Sequence, residues 1–167
     1  MTSPIIKIDP KLDLVLEREI GVPVELVWRA WTTPEHLREW FAPRPWTITA
    51  CDLDLRAGGA INFTMRSPDG QEYPNTHCYL EVTPFKRLIM TDTLHGGYRP
   101  SPNPFFTAVL DLAKNGEGTR YKAIAIHGDE AARRKHEEMG FHDGWGTVAT
   151  QMVEYIKAGR IQHRART

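Results

Sequence analysis

The sequence predicts an α+β fold in which a curved antiparallel sheet of six to seven strands wraps around one long C-terminal helix, with two short helices after the first strand. Three observations carry this. Trp145, Val148, Ala149, Met152 and Ile156 recur at three- and four-residue spacing, which puts them on one face of a helix over about 141–158. The preceding ninety residues break into short runs separated by Gly, Pro, Asn and Asp, the signature of strands and turns. Between the first such run and the rest, Pro23 and Thr33-Pro34-Glu35 mark two helix starts.

Taken in order, Leu12 to Ile20 reads as the first strand, ended by Gly21. Pro23 suits a first helical turn, where a missing N–H costs nothing, and Val24, Val27, Trp28 and Trp31 supply an apolar side. Thr33 before Pro34 is an N-cap hydroxyl before Pro at the first helical position, and the second helix stops before Pro43 and Pro45. Strands are expected at about Thr47–Arg56, Ala60–Arg66, Tyr73–Thr83, Arg87–Leu94, Phe105–Lys114 and Thr119–His127. Gly58-Gly59 permits positive φ, Ser67-Pro68-Asp69-Gly70 suits a type I turn, and Asn115-Gly116-Glu117-Gly118 closes a hairpin. The long break from His95 to Pro104 is either a rim over a cavity or an idle excursion.

The last hairpin fixes a register: Leu112 opposite Tyr121, Leu110 opposite Ala123, Ala108 opposite Ala125, Phe106 opposite His127. That face is apolar on both strands, and Ala108, Ala123 and Ala125 leave room beneath the helix. The same arithmetic at Pro84–Arg87 pairs Glu81 with Met90 and Tyr79 with Asp92, with Val82, Leu80, Cys78, Ile89, Thr91 and Thr93 on the other face. Which face points inward stays open. One would make a plain apolar core, the other a pocket with a few convergent polar groups.

At 167 residues the chain is expected to be one domain, 1–167, with its core over about 12–158 and flexible termini. Twenty-one basic and twenty-one acidic residues cancel, which removes the electrostatic case for nucleic acid or an anionic membrane. The basic tail of Arg160, His163, Arg164 and Arg166 reads as a solvated end. No apolar run approaches membrane-spanning length and no secretory leader is apparent, so a cytoplasmic protein is expected. Cys51 and Cys78 fall two strands apart, too far for a disulfide, and read as free buried thiols.

Of chemical motifs there is little. His136-Glu137 lacks the second histidine four residues on that a zinc-protease helix needs, since position 140 is Gly and His142 lies about 240° around the helix. No metal and no cofactor are expected. Glu81, Asp92 and His127 are candidate acids or bases if buried together; in solvent they would do nothing of the kind.

Several stretches resemble the Hsp90 ATPase activator homologue family, within the START-like, polyketide-cyclase-like helix-grip superfamily that includes birch-pollen-allergen-like proteins. They are Ile20 to Glu35, Leu55-Arg56-Ala57-Gly58-Gly59, Glu81 to Leu88, Gly118-Thr119-Arg120 and Met139 to Gly146. The resemblance implies a helix-grip fold with a cavity for a small hydrophobic or amphipathic molecule under the C-terminal helix. Phe63, Tyr79, Met90, Leu110 and Tyr121 are expected to line it, with Ala123 at its floor and Trp145, Ala149 and Met152 covering it. Two rivals stand beside this: a cofactor-free cyclase, aromatase or hydrolase using the same pocket, and a protein-interaction module. The co-chaperone role in the family's name belongs to eukaryotic members with an additional N-terminal domain, for which 167 residues leave no room. A monomer or homodimer is expected.

Overall fold

The computed structural model describes residues 6–161. Strand β1 (Asp13–Ile20) leads into helices α1 (Val24–Thr32) and α2 (Pro34–Leu37), then strands β2 (Thr47–Leu53), β3 (Ala60–Arg66), β4 (Glu72–Thr83) and β5 (Arg87–Thr91). Two-residue strands β6 (Leu94–His95) and β7 (Arg99–Pro100) follow, then β8 (Phe106–Asn115), β9 (Gly118–His127), α3 (Glu130–Glu138) and α4 (Phe141–Lys157). Seven strands form one antiparallel sheet, as expected, in the order β1-β9-β8-β5-β4-β3-β2. The expected tail residues His163, Arg164 and Arg166 lie outside the described residues, as does the N-terminal end through Ile5.

Local chemistry explains the elements. Pro23 precedes α1, whose Val24, Val27, Trp28 and Trp31 are buried. The β8–β9 pairing is the one read from the hairpin sequence, with Leu110 opposite Ala123 and Phe106 opposite His127. Helix α4 lies across the concave face, burying Val148, Ala149, Met152 and Ile156. Its C-terminal half is fastened by buried Gln151, whose amide donates to the carbonyls of Trp40 and Ala42 at 2.9 Å each and accepts from the Arg44 N–H at 3.0 Å. Its N-terminal half is held from β1: Arg18 donates to the Gly146 carbonyl and to Thr150 Oγ1, both at 3.1 Å.

Two expectations need correction. The β4–β5 register differs: Tyr79 pairs with Met90 and Glu81 with Ile89, and the register shifts between Tyr79 and Glu81. Leu80 is therefore the extra residue of a bulge, a feature that hairpin counting cannot see. Next, the long break expected from His95 to Pro104 is not an idle loop. It forms the β6–β7 hairpin, whose Gly97 N–H donates to the Gly58 carbonyl at 2.7 Å. Gly96 packs so near Ala60 that a side-chain carbon there would lie 2.7 Å from the Ala60 Cβ. After β9 comes a helix for which the sequence suggested no element, α3, begun by Asp129 accepting from the Ala132 N–H at 2.8 Å.

Both cysteines are free. Cys78 is fully buried, and burial pushes the half-buried Cys51 thiol up to about 11. Strand β3 separates them.

Candidate functional site

The concave side of the sheet is not filled evenly. Beneath the middle of α4, Met152, Ala149, Ala123, Leu110 and Tyr121 belong to one packed cluster in full burial, while Ala125 packs separately with Leu14 and Phe141. Small alanines there allow close approach of the helix instead of leaving a void. Tyr121 is closed off further by its hydroxyl, which accepts from the Trp31 indole N–H at 3.2 Å. The open volume is displaced toward the N-terminal end of α4. A narrow internal cavity of about 40 Å³ is walled by Trp31, Leu37, Phe41, Ile61, Phe63, His77, Tyr79, Leu88, Met90, Phe106, Ala108 and Trp145.

Beside it, a cleft of about 290 Å³ opens between β3–β4 and the first turns of α4. Phe41, Phe63, His77, Phe106 and Trp145 belong to both linings, so the cleft and the cavity adjoin and these side chains stand between them. The cleft adds Pro43, Met65, Asn75, His136, Met139, Gly140, Phe141, Gly144 and Val148. None of these residues carries a permanent charge. Gly144 borders the cleft with no neighbour within 4 Å of where a Cβ would stand, and Met139, 66% exposed, sits at the lip.

Of the residues expected to bind a ligand, Phe63, Tyr79, Met90 and Trp145 therefore line the cavity, whereas Leu110, Tyr121, Ala123, Ala149 and Met152 belong to the packed region beside it. The three candidate acids and bases do not meet in the cavity. Glu81, turned away by the bulge, accepts from Thr83 and lies 3.9 Å from Arg87, which also pairs with Asp111 at 2.6 Å in a surface groove. Asp92 accepts from the backbone N–H groups of Phe105 and Phe106, at 2.7 and 3.0 Å, and so shapes the entry to β8. His127 bonds the Leu12 carbonyl through Nδ1 at 2.7 Å and His136 through Nε2 at 2.9 Å.

Three polar groups do face the open space. Tyr79 is 2% exposed, and its hydroxyl has no hydrogen-bond partner among the described residues; burial pushes its pKa up, so it stays a neutral phenol. His77 lies tilted against Phe63, with ring centroids 5.5 Å apart, and desolvation lowers its pKa below the usual imidazole value. His136, 7% exposed, is surrounded by Phe105, Phe106 and Phe141 with ring centroids 4.7–5.3 Å away. Desolvation and His127 push it down to about 4, so it is neutral near pH 7. His77 and His136 escaped the sequence reading. Strand alternation places His77 two residues before Tyr79 on the same face, a usable signal. His136 could be placed only by recognising α3, whose polar sequence buries just that one residue. Among the described residues no group of three or more His, Cys, Asp or Glu side chains could hold a metal ion.

A family model described as Activator of Hsp90 ATPase homolog 1-like protein matches residues 21–157. The X-ray structure of a protein from Nitrosomonas europaea is 50% identical, covering 92% of this chain and 99% of that one, with a TM-score of 0.89. A crystal structure from Mycobacterium smegmatis, at 25% identity, covers 89% and 93% with a TM-score of 0.76. The solution structure of an AHSA1-like protein from Aeromonas hydrophila, at 20% identity, covers 93% and 99% with a TM-score of 0.70. Comparison with curated proteins gave no match. No helix among the described residues is long and apolar enough to cross a membrane.

Proposed function

This chain belongs to the Activator of Hsp90 ATPase homolog 1-like family, and from that premise we propose that it binds a small, uncharged, largely apolar molecule in the cavity and cleft beside the N-terminal end of α4. The observation that carries this is the adjacency of the two spaces. An aromatic-walled cavity too small for more than a few waters lies behind five shared side chains from a cleft of a size near the lower bound of ordinary ligand pockets. Trp145 and Phe41 are half-buried at the junction, where a planar molecule would displace them or stack on them. The enzyme alternative lacks support of this kind, because Glu81, Asp92 and His127 are each engaged elsewhere.

The test is binding with a matched block. A ligand that binds only the folded state stabilises it by RT ln(1 + [L]/Kd), about 2.7 kcal/mol at one hundred times Kd. For a chain of this size that raises the melting midpoint by roughly 5–10 °C. Gly144→Leu extends a side chain at the cleft border and should abolish the shift while leaving the protein folded. Native mass spectrometry of gently purified protein would show a retained molecule directly. Shifts that survive Gly144→Leu unchanged would place binding elsewhere and sink the proposal.

A further inference from the structure

The histidine pair at the cleft wall has a direction. The Leu12 carbonyl can only accept, so a neutral His127 must carry its proton on Nδ1, 2.7 Å away. Its Nε2 then holds a lone pair and can only accept from His136 Nδ1, at 2.9 Å. His136 in turn must be protonated on Nδ1, which leaves a bare lone pair on its Nε2. That atom has no hydrogen-bond partner among the described residues, yet the side chain is more than nine-tenths buried and lines the cleft. Only Asp13 Oδ1 and Arg133 Nε are sealed without a partner among the described residues, so this unpartnered nitrogen opens onto the cleft, where water or a ligand can donate to it. Here three phenylalanine rings hold the ring in place, and no permanently charged side chain lines the cleft.

We infer that His136 is a specificity-determining residue of the proposed site: the Leu12–His127–His136 chain presents Nε2 as a hydrogen-bond acceptor that selects neutral apolar ligands bearing a hydroxyl, such as ring alcohols and phenols, over their ethers and over carboxylates. This rests on the ligand-binding reading above. A carboxylate finds no cation in the lining to replace its hydration, and an ether oxygen meets the lone pair with one of its own. A hydroxyl satisfies the acceptor and leaves the rest of the ligand against Phe106, Phe141 and Trp145. The Tyr79 hydroxyl, at the inner end, is a second unpartnered group for the far side of such a molecule.

The probes are naphthalene, 2-naphthol, 2-methoxynaphthalene and 2-naphthoate, titrated against the full chain at pH 7.5. The expectation is that 2-naphthol binds at least about tenfold more tightly than 2-methoxynaphthalene, the scale of one hydrogen bond that the ether cannot donate, with no binding of 2-naphthoate. His136→Phe should bring 2-naphthol down to the level of its ether without weakening naphthalene. Should that variant misfold, long-range proton–nitrogen NMR of the unaltered protein reads the tautomer directly. Protonation of His136 on Nδ1 supports the inference, and protonation on Nε2 overturns it. If naphthalene binds and Gly144→Leu blocks it but the hydroxyl gains nothing, the selectivity is refuted while the pocket stands. If none of the probes binds, both fall.

Discussion

Two glycines in the first turns of α4 should respond to the same substitution with opposite sign. Gly144 and Gly146 both lie inside the helix, where alanine is favoured over glycine by about 1 kcal/mol. At Gly144 an added methyl group meets nothing within 4 Å, so Gly144→Ala should stabilise by about 0.5–1 kcal/mol. At Gly146 the methyl would stand 2.6 Å from Arg18 Nη2, and the guanidinium must withdraw. Withdrawal gives up its bonds to the Gly146 carbonyl and Thr150 Oγ1, each 3.1 Å and partly open to water, so each contributes nearer the low end of the range, about 1 kcal/mol. Set against the same helical gain, Gly146→Ala should be destabilising by about 1–1.5 kcal/mol, separating the two variants by about 2 kcal/mol. Urea midpoints at constant slope measure this directly. In an Arg18→Met background the clash and the bonds are both gone, and Gly146→Ala should turn neutral or stabilising. Equal gains at both positions would refute the account of how β1 holds the helix.

Acid should weaken the fold through His136. Its folded pKa near 4 lies below the ordinary value, so between about pH 6.5 and 4 the unfolded chain binds more protons; the stability present above pH 6.5 is lost as pH falls through that window, by on the order of 3 kcal/mol if fully expressed. His77 and His36, also lowered by desolvation, act in the same direction. A urea series from pH 7.5 to 4.5 should show this slope flattened in His136→Phe, and an unchanged slope would contradict it. Met152→Asp, at a position with no exposure, should unfold the protein or cost several kcal/mol, whereas Glu154→Asp on the exposed side should stay within about 0.5 kcal/mol; equal urea midpoints would displace the helix. Ala123→Trp should also unfold the chain, because Ala123 belongs to the close-packed region and not to the cavity wall; a folded, merely ligand-blind variant would place the cavity under mid-helix. Iodoacetamide at pH 8 should label Cys51 and Cys78 far more slowly in native protein than in denaturant, judged by mass, since one thiol is held above its usual pKa and the other is sealed.

Periodicity carried the architecture because it depends on burial alone. The α4 stripe and the β8–β9 register were both legible, the latter because four residues between two alternating apolar runs leave one sensible pairing. What stayed hidden has particular causes. Helix α3 buries one residue, His136, and so offers no apolar stripe; its Asp129 cap was the available signal. The hairpin β6–β7 is only two residues long on each side and rests on Gly58 and Ala60, contacts forty residues away in sequence. For the site, the cavity-lining residues Phe63, Tyr79, Met90 and Trp145 were named from strand and helix faces. Its displacement toward one end of α4 was not, because size alone cannot tell whether alanines such as Ala123 leave a gap or let a helix come closer.

The bulge at Leu80 works as a phase shifter along one strand. Before it, the odd-numbered residues His77 and Tyr79 point to the interior; past it, parity flips, and Val82 joins the core while Glu81 goes to the surface beside Arg87. A strand of unbroken alternation would have carried a carboxylate into the apolar interior at the next inward position. One inserted residue thus lets a single strand serve two unlike environments, a phenol-bearing cavity wall at one end and a charged groove at the other. The strand's chemistry is set by counting as much as by composition.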